Sequence, residues 1–215
     1  QAGTWAGISA GEVRHADPAT KTVVPGAGDP TVNQAYDPIA GDGACASASA
    51  SDQTGLASYR LDPAPPGGYT LMGSPTIVAD INSPGPTSQL MARLMDVAPD
   101  GTATLVARGV YRPEINVGTE PTRQVFQLHP NGYEFAEGHI AKLELLPSDH
   151  VYGRPSNDQQ AVTVRDLELV PPVRHDGADQ VDVTGVEAVR VVVPDDASVG
   201  TTTSAWIPSM LLRRA

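Results

Sequence analysis

The chain has 215 residues, of which 40% are hydrophobic, so it is long enough to bury a sizeable core in one large β domain or two small ones. Its formal net charge is -11, which argues against the basic face that nucleic-acid binding requires. It contains 21 glycines and 20 prolines, a composition that is unusual for helical proteins and favours many short strands joined by turns.

Cysteine content and the termini bear on the compartment. A single cysteine, Cys45, allows neither an intrachain disulfide nor a thiolate metal cluster, and its run ACASASAS predicts a loop rather than a nucleophile. No apolar stretch approaches the length of a membrane span, and no signal peptide is visible. Because the chain starts at Gln1 and not at Met, we expect either that an upstream segment was removed or that this is an excised domain. These features do not identify the cellular compartment, and they are compatible with secretion.

Residues 1–57 predict little regular structure. The pattern from Gly3 to Val24 suits two short strands. Residues 25–55 are rich in Gly, Asp, Pro, Ala and Ser and predict a long irregular excursion over the surface.

Residues 58–173 predict a regular series of strands separated by turn-rich breaks. Within it, Ile77, Ala79 and Ile81 alternate on one face of a strand. Further along, Ala141, Leu143 and Leu145 face one way, whereas Lys142 and Glu144 face the other. The Asn131–Gly132 pair predicts a turn. The segments predicted to carry strand residues are Ser58–Asp62, Tyr69–Ser83, Gln89–Val97, Thr102–Tyr111, Arg123–Pro130, Gly138–Asp149 and Ala161–Val170.

The segment QLMARLMDVAPDGTATLVARGVYRP predicts a β-hairpin. Gln89–Val97 and Thr102–Tyr111 flank a turn built from Pro99, Asp100 and Gly101. A helix is the competing interpretation of the first arm, because Met91 and Met95, like Leu90 and Leu94, are four residues apart. The turn and the β-rich second arm favour the strand.

Residues 174–215 extend the chain with two more β-like segments, 181–194 and 201–214, after a break in PPVRHDG. No internal repeat is visible. Many short strands with turn-rich joints predict a single all-β domain over residues 1–215, built as an antiparallel sandwich or barrel.

The pattern GISAG, residues 7–11, matches the nucleophile elbow of α/β-hydrolases, G-x-S-x-G. An elbow needs a buried strand before its serine and a helix after it, and the residues that follow Gly11 carry prolines, glycines and β-branched residues. We therefore interpret Ser9 as an ordinary strand or turn residue.

The histidines and aspartates offer weak candidates for a metal. The histidines lack a close ligand pair such as H-x-x-x-H, and His139 is expected to order a local turn. Asp29, Asp37 and Asp42 form an oxygen-rich loop in which calcium is conceivable, although the EF-hand spacing is absent and a solvated acidic loop is the simpler interpretation. The histidines are His15, His129, His139, His150 and His175.

Other kinds of site find no support in the sequence. A Ser/His/Asp set is recognised by geometry, which a sequence does not show, and no glycine-rich loop follows a strand and opens a helix. Trp5, Trp206 and six tyrosines could stack on ligands, but in a sandwich most of them should be core or rim residues.

Three segments together resemble the C-terminal domain of X-Pro dipeptidyl-peptidases and of the related cocaine-esterase-like acyl hydrolases. They are YTLMGSPTIVADINS, QLMARLMDVAPDGTATLVARGVYRP and FQLHPNGYEFAEGHIAKLELLPSD. The matching features are Gly73, Leu94–Gly101, Leu105–Pro113 and Gly138–Leu146, and the resemblance covers residues 58–173.

This resemblance implies a jelly-roll sandwich similar to galactose-binding domains, without catalytic residues of its own. The triad of such a serine hydrolase lies in a separate α/β domain, so we expect this chain to pack beside that domain and to shape substrate access. We expect an apolar contact face whose edge includes the charge-poor segments Ala40–Ala50 and Ser204–Leu212.

On this interpretation the chain has no catalytic, cofactor-binding or metal residues, and neither nucleic acid nor a membrane is a partner. The alternative is a stand-alone jelly-roll module that binds carbohydrate or another ligand, which an exposed pair of planar aromatic side chains would favour. An independent hydrolase that uses Ser9 is a third, weaker hypothesis.

Overall fold

A computed structural model describes residues 11–41, 46–85, 88–114, 120–150 and 152–174. Within these ranges the chain is almost entirely β-structure. Its elements are β1 (Gly11–Glu12), β2 (His15–Asp17), β3 (Lys21–Val23), α1 (Pro30–Ala35), β4 (Ser47–Ser49), β5 (Ala57–Arg60), β6 (Tyr69–Gly73), β7 (Thr76–Asn82), β8 (Leu90–Val97), β9 (Thr102–Tyr111), β10 (Thr122–Gln127), β11 (Asn131–Phe135), β12 (Ile140–Leu146), β13 (Val162–Val170) and β14 (Pro172–Arg174).

The strands form three antiparallel sheets. One sheet has the order β4-β9-β8-β12-β5. We call it the inner-charge sheet because buried charged side chains, described below, lie on its face that points away from the main core. A second has the order β10-β7-β13-β2, with β3 also paired to β13, and a third has the order β1-β14-β6-β11.

The main core lies between the inner-charge sheet and the other two sheets. Ile77, Ala79 and Ile81 of β7 are all 0% exposed and join this core, which confirms the alternation read from the sequence. Leu94 of β8 and Leu143 of β12 face them from the inner-charge sheet and are also 0% exposed. The predicted all-β antiparallel sandwich is confirmed, and the jelly-roll connectivity stays a prediction.

Strand β8 decides between the two interpretations of the segment that follows Gln89. It is a strand paired with β9 and β12, and all eight of its residues are buried. Both faces of β8 are covered, so apolar residues point to both sides of the strand. This pattern produced the apparent helical spacing of Met91 and Met95.

The structure divides one run of strand residues and replaces one predicted turn. The run Tyr69–Ser83 forms two strands, β6 and β7, which lie in different sheets on either side of Ser74 and Pro75. Asn131 and Gly132 do not form a turn but open β11, where the Asn131 side chain donates to the Val106 carbonyl. The chain can leave one sheet and enter another at any short break, so periodicity within a run does not reveal the change.

The terminal regions also differ from the predictions. The supposed irregular loop over residues 25–55 contains α1 and β4, and three short strands, β1 to β3, occupy residues 11–23 in place of two. The predicted break PPVRHDG contains β14. The two β-like segments 181–194 and 201–214 lie outside the described residues.

Two adjacent glycines form the turn before β6 and provide a matched test of this packing. Both have positive φ, +83° at Gly67 and +68° at Gly68. A Cβ on Gly67 would meet nothing within 4 Å, whereas a Cβ on Gly68 would collide with the Phe135 carbonyl oxygen of β11.

We predict that Gly67→Ala lowers the free energy of unfolding by about 1 kcal/mol, the strain of a left-handed alanine. Gly68→Ala adds the displacement of a β11 carbonyl and should lower it by about 3 kcal/mol. Urea unfolding of the two variants measures the difference. Equal losses would contradict the close approach of this turn to β11.

Candidate functional site

The outer face of the inner-charge sheet carries charged side chains that are withdrawn from water. Arg93 of β8 and Lys142 of β12 have 0% exposed side chains, and that of Glu144 on β12 is 1% exposed. Because side chains alternate along a strand, these residues face away from the main core, on the opposite side from Leu94 and Leu143. The alternation in the sequence correctly predicts that Lys142 and Glu144 share a face, but it does not predict that this face is buried.

Glu144 pairs with two cations. Its Oε2 lies 2.8 Å from Arg93 Nη2, and its Oε1 lies 2.8 Å from Lys142 Nζ. Lys142 Nζ also lies 2.8 Å from Asp52 Oδ1 and donates to the Ala50 carbonyl oxygen at 2.9 Å. These contacts bind the chain at residues 50–52 to the sheet.

The segment that contains α1 covers the same face. Helix α1 begins at an N-cap aspartate, Asp29, which accepts a hydrogen bond from Thr31 N at 2.8 Å, and Pro30 occupies its first turn. From the helix, the side-chain oxygen of Asn33 accepts from Arg93 Nη1 at 2.8 Å. The polar contacts of α1 are therefore directed at the buried charges.

Tyr36 follows the helix and fixes it to the sheet. Its hydroxyl donates to the Ala103 carbonyl oxygen at 2.8 Å, and its own carbonyl oxygen accepts from Arg108 Nη2. Burial raises the pKa of Tyr36 to about 12, so the hydroxyl keeps its proton and remains a donor. Tyr36 packs with Met95, Val97 and other residues in a second, smaller core between this segment and the sheet.

Asp149 completes the charged layer where the chain leaves β12. Its two carboxylate oxygens lie 3.5 Å from Arg93 Nη1 and from Arg108 Nε, and its side chain is 1% exposed. Burial raises the pKa of this carboxyl, and the two arginines oppose the shift. Asp149 thus links the arginines of β8 and β9 to the chain that follows β12.

A cavity of about 600 Å³ lies between residues 26–37 and 148–155, beside the charged layer. Ser148, His150 and Asp37 all line it. In the described part of the chain no hydrogen bond or ion pair joins these three side chains, and the carboxylate of Asp37 instead accepts from Ile39 N at 2.7 Å. They have the residue types of a catalytic triad without its connections.

Two of the three aspartates in the early loop make local hydrogen bonds. Asp29 caps α1 and Asp37 closes the turn after it, while Asp42 lies outside the described residues. Among the residues that are described, no group of three His, Cys, Asp or Glu side chains is arranged to hold a metal ion.

The histidines are spread over different parts of the sandwich. His139 Nδ1 lies 2.9 Å from Asp96 Oδ2 on the neighbouring strand, and Tyr133 donates to the same oxygen at 2.9 Å. The ring therefore links the residue before β12 to β8, whereas the local turn is held by the backbone N–H of His139, which donates to the Ala136 carbonyl oxygen. His129 approaches the edge of Tyr152, and His150 lines the cavity.

Several sequence candidates lie outside the described residues. These are Ser9, Cys45, His175, Trp5 and Trp206. Residues Tyr36, Tyr59 and Tyr69 are at most 3% exposed, as expected for core positions. The stacked pair of Tyr111 and Phe126 has Phe126 only 8% exposed, so within the described ranges it offers no open platform for a sugar ring.

Arg93, Arg108 and Asp149 were not among the residues predicted from the sequence to form a site. The sequence did contain a signal, because Arg93 lies in LMARLMDV, where its neighbours on both faces of the strand are apolar. A charge in such a run predicts a buried partner rather than solvent. No described helix has the length and apolar character needed to cross a membrane.

Comparison with known proteins gives one family match. The model of the family described as the X-Pro dipeptidyl-peptidase C-terminal non-catalytic domain matches residues 33–184. Comparison with curated proteins finds no match.

Among solved structures, three similar ones are hydrolases or peptidases. A CocE/NonD family hydrolase from Staphylococcus aureus is 14% identical with a TM-score of 0.48, over 60% of this chain and 32% of that one. An alpha-amino acid ester hydrolase is 18% identical with a TM-score of 0.44, over 55% and 25%. An aminopeptidase from a marine sediment archaeon, Thaumarchaeota archaeon, is 11% identical with a TM-score of 0.45, over 55% and 26%. The match therefore spans 25% to 32% of the length of these proteins.

A double-mutant cycle on the buried pair tests the charged layer. We predict that Arg93→Met and Glu144→Leu alone each lower the free energy of unfolding by about 3 to 5 kcal/mol, because each removes the nearest partner of a charge that stays buried. The double variant should recover part of this loss, with a coupling energy of about 2 kcal/mol in urea unfolding.

The matched control is the ion pair of Arg123 and Glu168, whose side chains are 41% and 22% exposed. The same substitutions there should show a coupling energy below about 1 kcal/mol. If the buried pair couples no more strongly than this control, the charges on the inner-charge sheet are not what holds the covering segment.

Proposed function

The chain belongs to the family of X-Pro dipeptidyl-peptidase C-terminal non-catalytic domains, and we propose that it is the accessory domain of a serine hydrolase of the X-Pro dipeptidyl-peptidase or acyl-esterase type. The observation that carries the proposal is the family match over residues 33–184, which includes every strand from β4 to β14. In this proposal the chemistry takes place in a separate α/β domain. The present domain packs against that domain and shapes the access of substrate.

The surface beside α1 offers a suitable contact point for such a domain. Ile39 is 88% exposed, and the turn that presents it is held by hydrogen bonds from Ile39 N to the Asp37 carboxylate and from Gly41 N to the Asp37 carbonyl oxygen. Large apolar side chains held out into water commonly mark interaction sites. Ile39 directly precedes the charge-poor segment Ala40–Ala50, whereas the other suggested edge, Ser204–Leu212, lies outside the described residues.

The burial of Ala46 and Ala50 narrows the proposed contact region. Both are only 4% exposed and pack in the smaller core with Tyr36 and Met95, so they support the surface from below. Ile39 is therefore the residue of this region that a partner domain would contact. The proposed interface is rigid, since the segment that carries it is anchored by the buried charges.

The role of non-catalytic partner also fits the cavity. Its Ser148, His150 and Asp37 are not connected as a triad, and the family description names a non-catalytic domain. The alternative of a carbohydrate-binding module lacks an exposed aromatic platform among the described residues.

Reconstitution with a catalytic domain tests the proposal. The α/β-hydrolase domain encoded in the same gene, or in an adjacent one, is produced as a separate chain and mixed with this one. We predict a complex in size-exclusion chromatography and a change in KM for an X-Pro or acyl substrate. Ile39→Asp should weaken the complex at least about tenfold, because it places a charge in an apolar contact.

The matched control is Val125→Asp on β10, since Val125 is also exposed, at 45%, but belongs to a sheet that the α1 segment does not cover. This variant should bind as the wild type does. Absence of any hydrolase domain from the gene neighbourhood, or no complex with the domain that is found there, would refute the accessory role. Labelling of Ser9 by a serine-directed phosphonate, abolished by Ser9→Ala, would show instead that the chain is itself an enzyme.

A further inference from the structure

Four carboxylates are buried in the described part of the chain, and one of them lacks a basic partner. Glu144 and Asp149 are paired with arginines, and Asp96 binds the imidazole of His139. The fourth, Asp37, is 5% exposed and forms no ion pair with any described residue. Buried charges in proteins are ordinarily paired, so the exception calls for an explanation.

Asp37 lines the cavity of about 600 Å³ between residues 26–37 and 148–155. Its Oδ1 accepts one hydrogen bond, from Ile39 N at 2.7 Å, and no other described group donates to the carboxylate. A carboxylate has about four acceptor positions, so most of its capacity is unused within the protein. The remaining acceptor positions therefore belong to a residue that lines the cavity, which a ligand can enter.

A second buried polar group of the cavity wall is a donor. Asn33 is 8% exposed, and its Oδ1 is already occupied by Arg93 Nη1 at 2.8 Å. The remaining polar group of this side chain is the amide Nδ2, which donates to no described residue. Arg93 thereby fixes the orientation of the amide and leaves its N–H groups free to donate to a ligand.

The other walls combine apolar residues with the polar residues Gln34, Ser148 and His150. Ala27 and Pro30 come from the covering segment, and Pro155 comes from the chain after β12. A volume of about 600 Å³ is within the range of small-molecule sites. The cavity therefore combines an anionic acceptor, a neutral donor and apolar wall residues.

We propose that this cavity binds a small molecule in which a primary ammonium group neighbours a carbonyl group, as in an α-amino amide or the free N-terminus of a short peptide. The ammonium group pairs with Asp37, the carbonyl oxygen accepts from Asn33 Nδ2, and the side chain of the ligand packs against Pro30 and Pro155. The site belongs to this chain alone, so its test does not depend on the proposed accessory role.

Titration of the whole chain with four probes tests the site. Leucinamide carries all three features, N-acetyl-leucinamide lacks the cation, and the 2-hydroxy analogue of leucinamide replaces the ammonium group with a hydroxyl. Leucyl-glycinamide separates a peptide N-terminus from a free amino-acid amide. Measured by NMR shift changes, leucinamide, leucyl-glycinamide or both should saturate the site, and each uncharged probe should bind at least about tenfold more weakly.

Variants assign the binding to the cavity. Asp37→Asn keeps an acceptor for Ile39 N but removes the charge, and it should weaken ammonium binding at least about tenfold. Asp62→Asn, at an exposed aspartate, is the matched control and should leave binding unchanged. Gln34→Trp, at an exposed position on the cavity wall, fills the space without altering buried charge and should abolish binding even if Asp37→Asn fails to fold.

Three results would overturn the proposal. They are the absence of saturable binding by either ammonium probe below about 10 mM, equal affinity for the acetylated probe, and unchanged affinity in a folded Asp37→Asn variant.

Discussion

Nη2 of Arg93 lies 2.8 Å from Oε2 of Glu144, and both side chains have almost no access to water. The arrangement of the segments that cover this face of the inner-charge sheet depends on this pair. Removing each charge from water costs several kcal/mol, which is recovered only when the remaining hydrogen-bonding capacity is also satisfied. Lys142 supplies the second cation for Glu144, Asn33 Oδ1 accepts a hydrogen bond from Arg93, and Asp149 adds an ion-pair contact to Arg93 at 3.5 Å. The pair therefore fixes where α1 and the chain after β12 must lie.

This constraint makes the segment around α1 an integral part of the domain. The segment contributes Tyr36 to the smaller core and Asn33 to the charged layer, so the sheet is covered on both faces. The family match begins at residue 33, within α1. The cavity and the exposed Ile39 both lie on this anchored segment, so the proposed ligand site and the proposed domain contact share one rigid support.

Patterns within a strand were predictable from the sequence, whereas relations between sheets were not. The turn at Asp100 and Gly101 identified the hairpin, and alternation identified the buried face of β7, because both signals are local. The division between β6 and β7 depends on which sheet each strand joins, which no short run encodes. The burial of Lys142 depends on a cover that comes from residues about ninety positions earlier, since its Nζ bonds the Ala50 carbonyl oxygen at a sequence separation of 92.

Native-state hydrogen exchange of the covering segment tests the central claim most directly. If the buried charges anchor this segment, the backbone amides of Asn33 and Tyr36, which donate to Asp29 and Val32, should exchange only through the unfolding that exposes β8 and β12. Their opening free energy should then equal that of the sheet and fall together with it in Arg93→Met. Exchange of these amides with an opening free energy near zero, while β8 and β12 stay protected, would contradict the account.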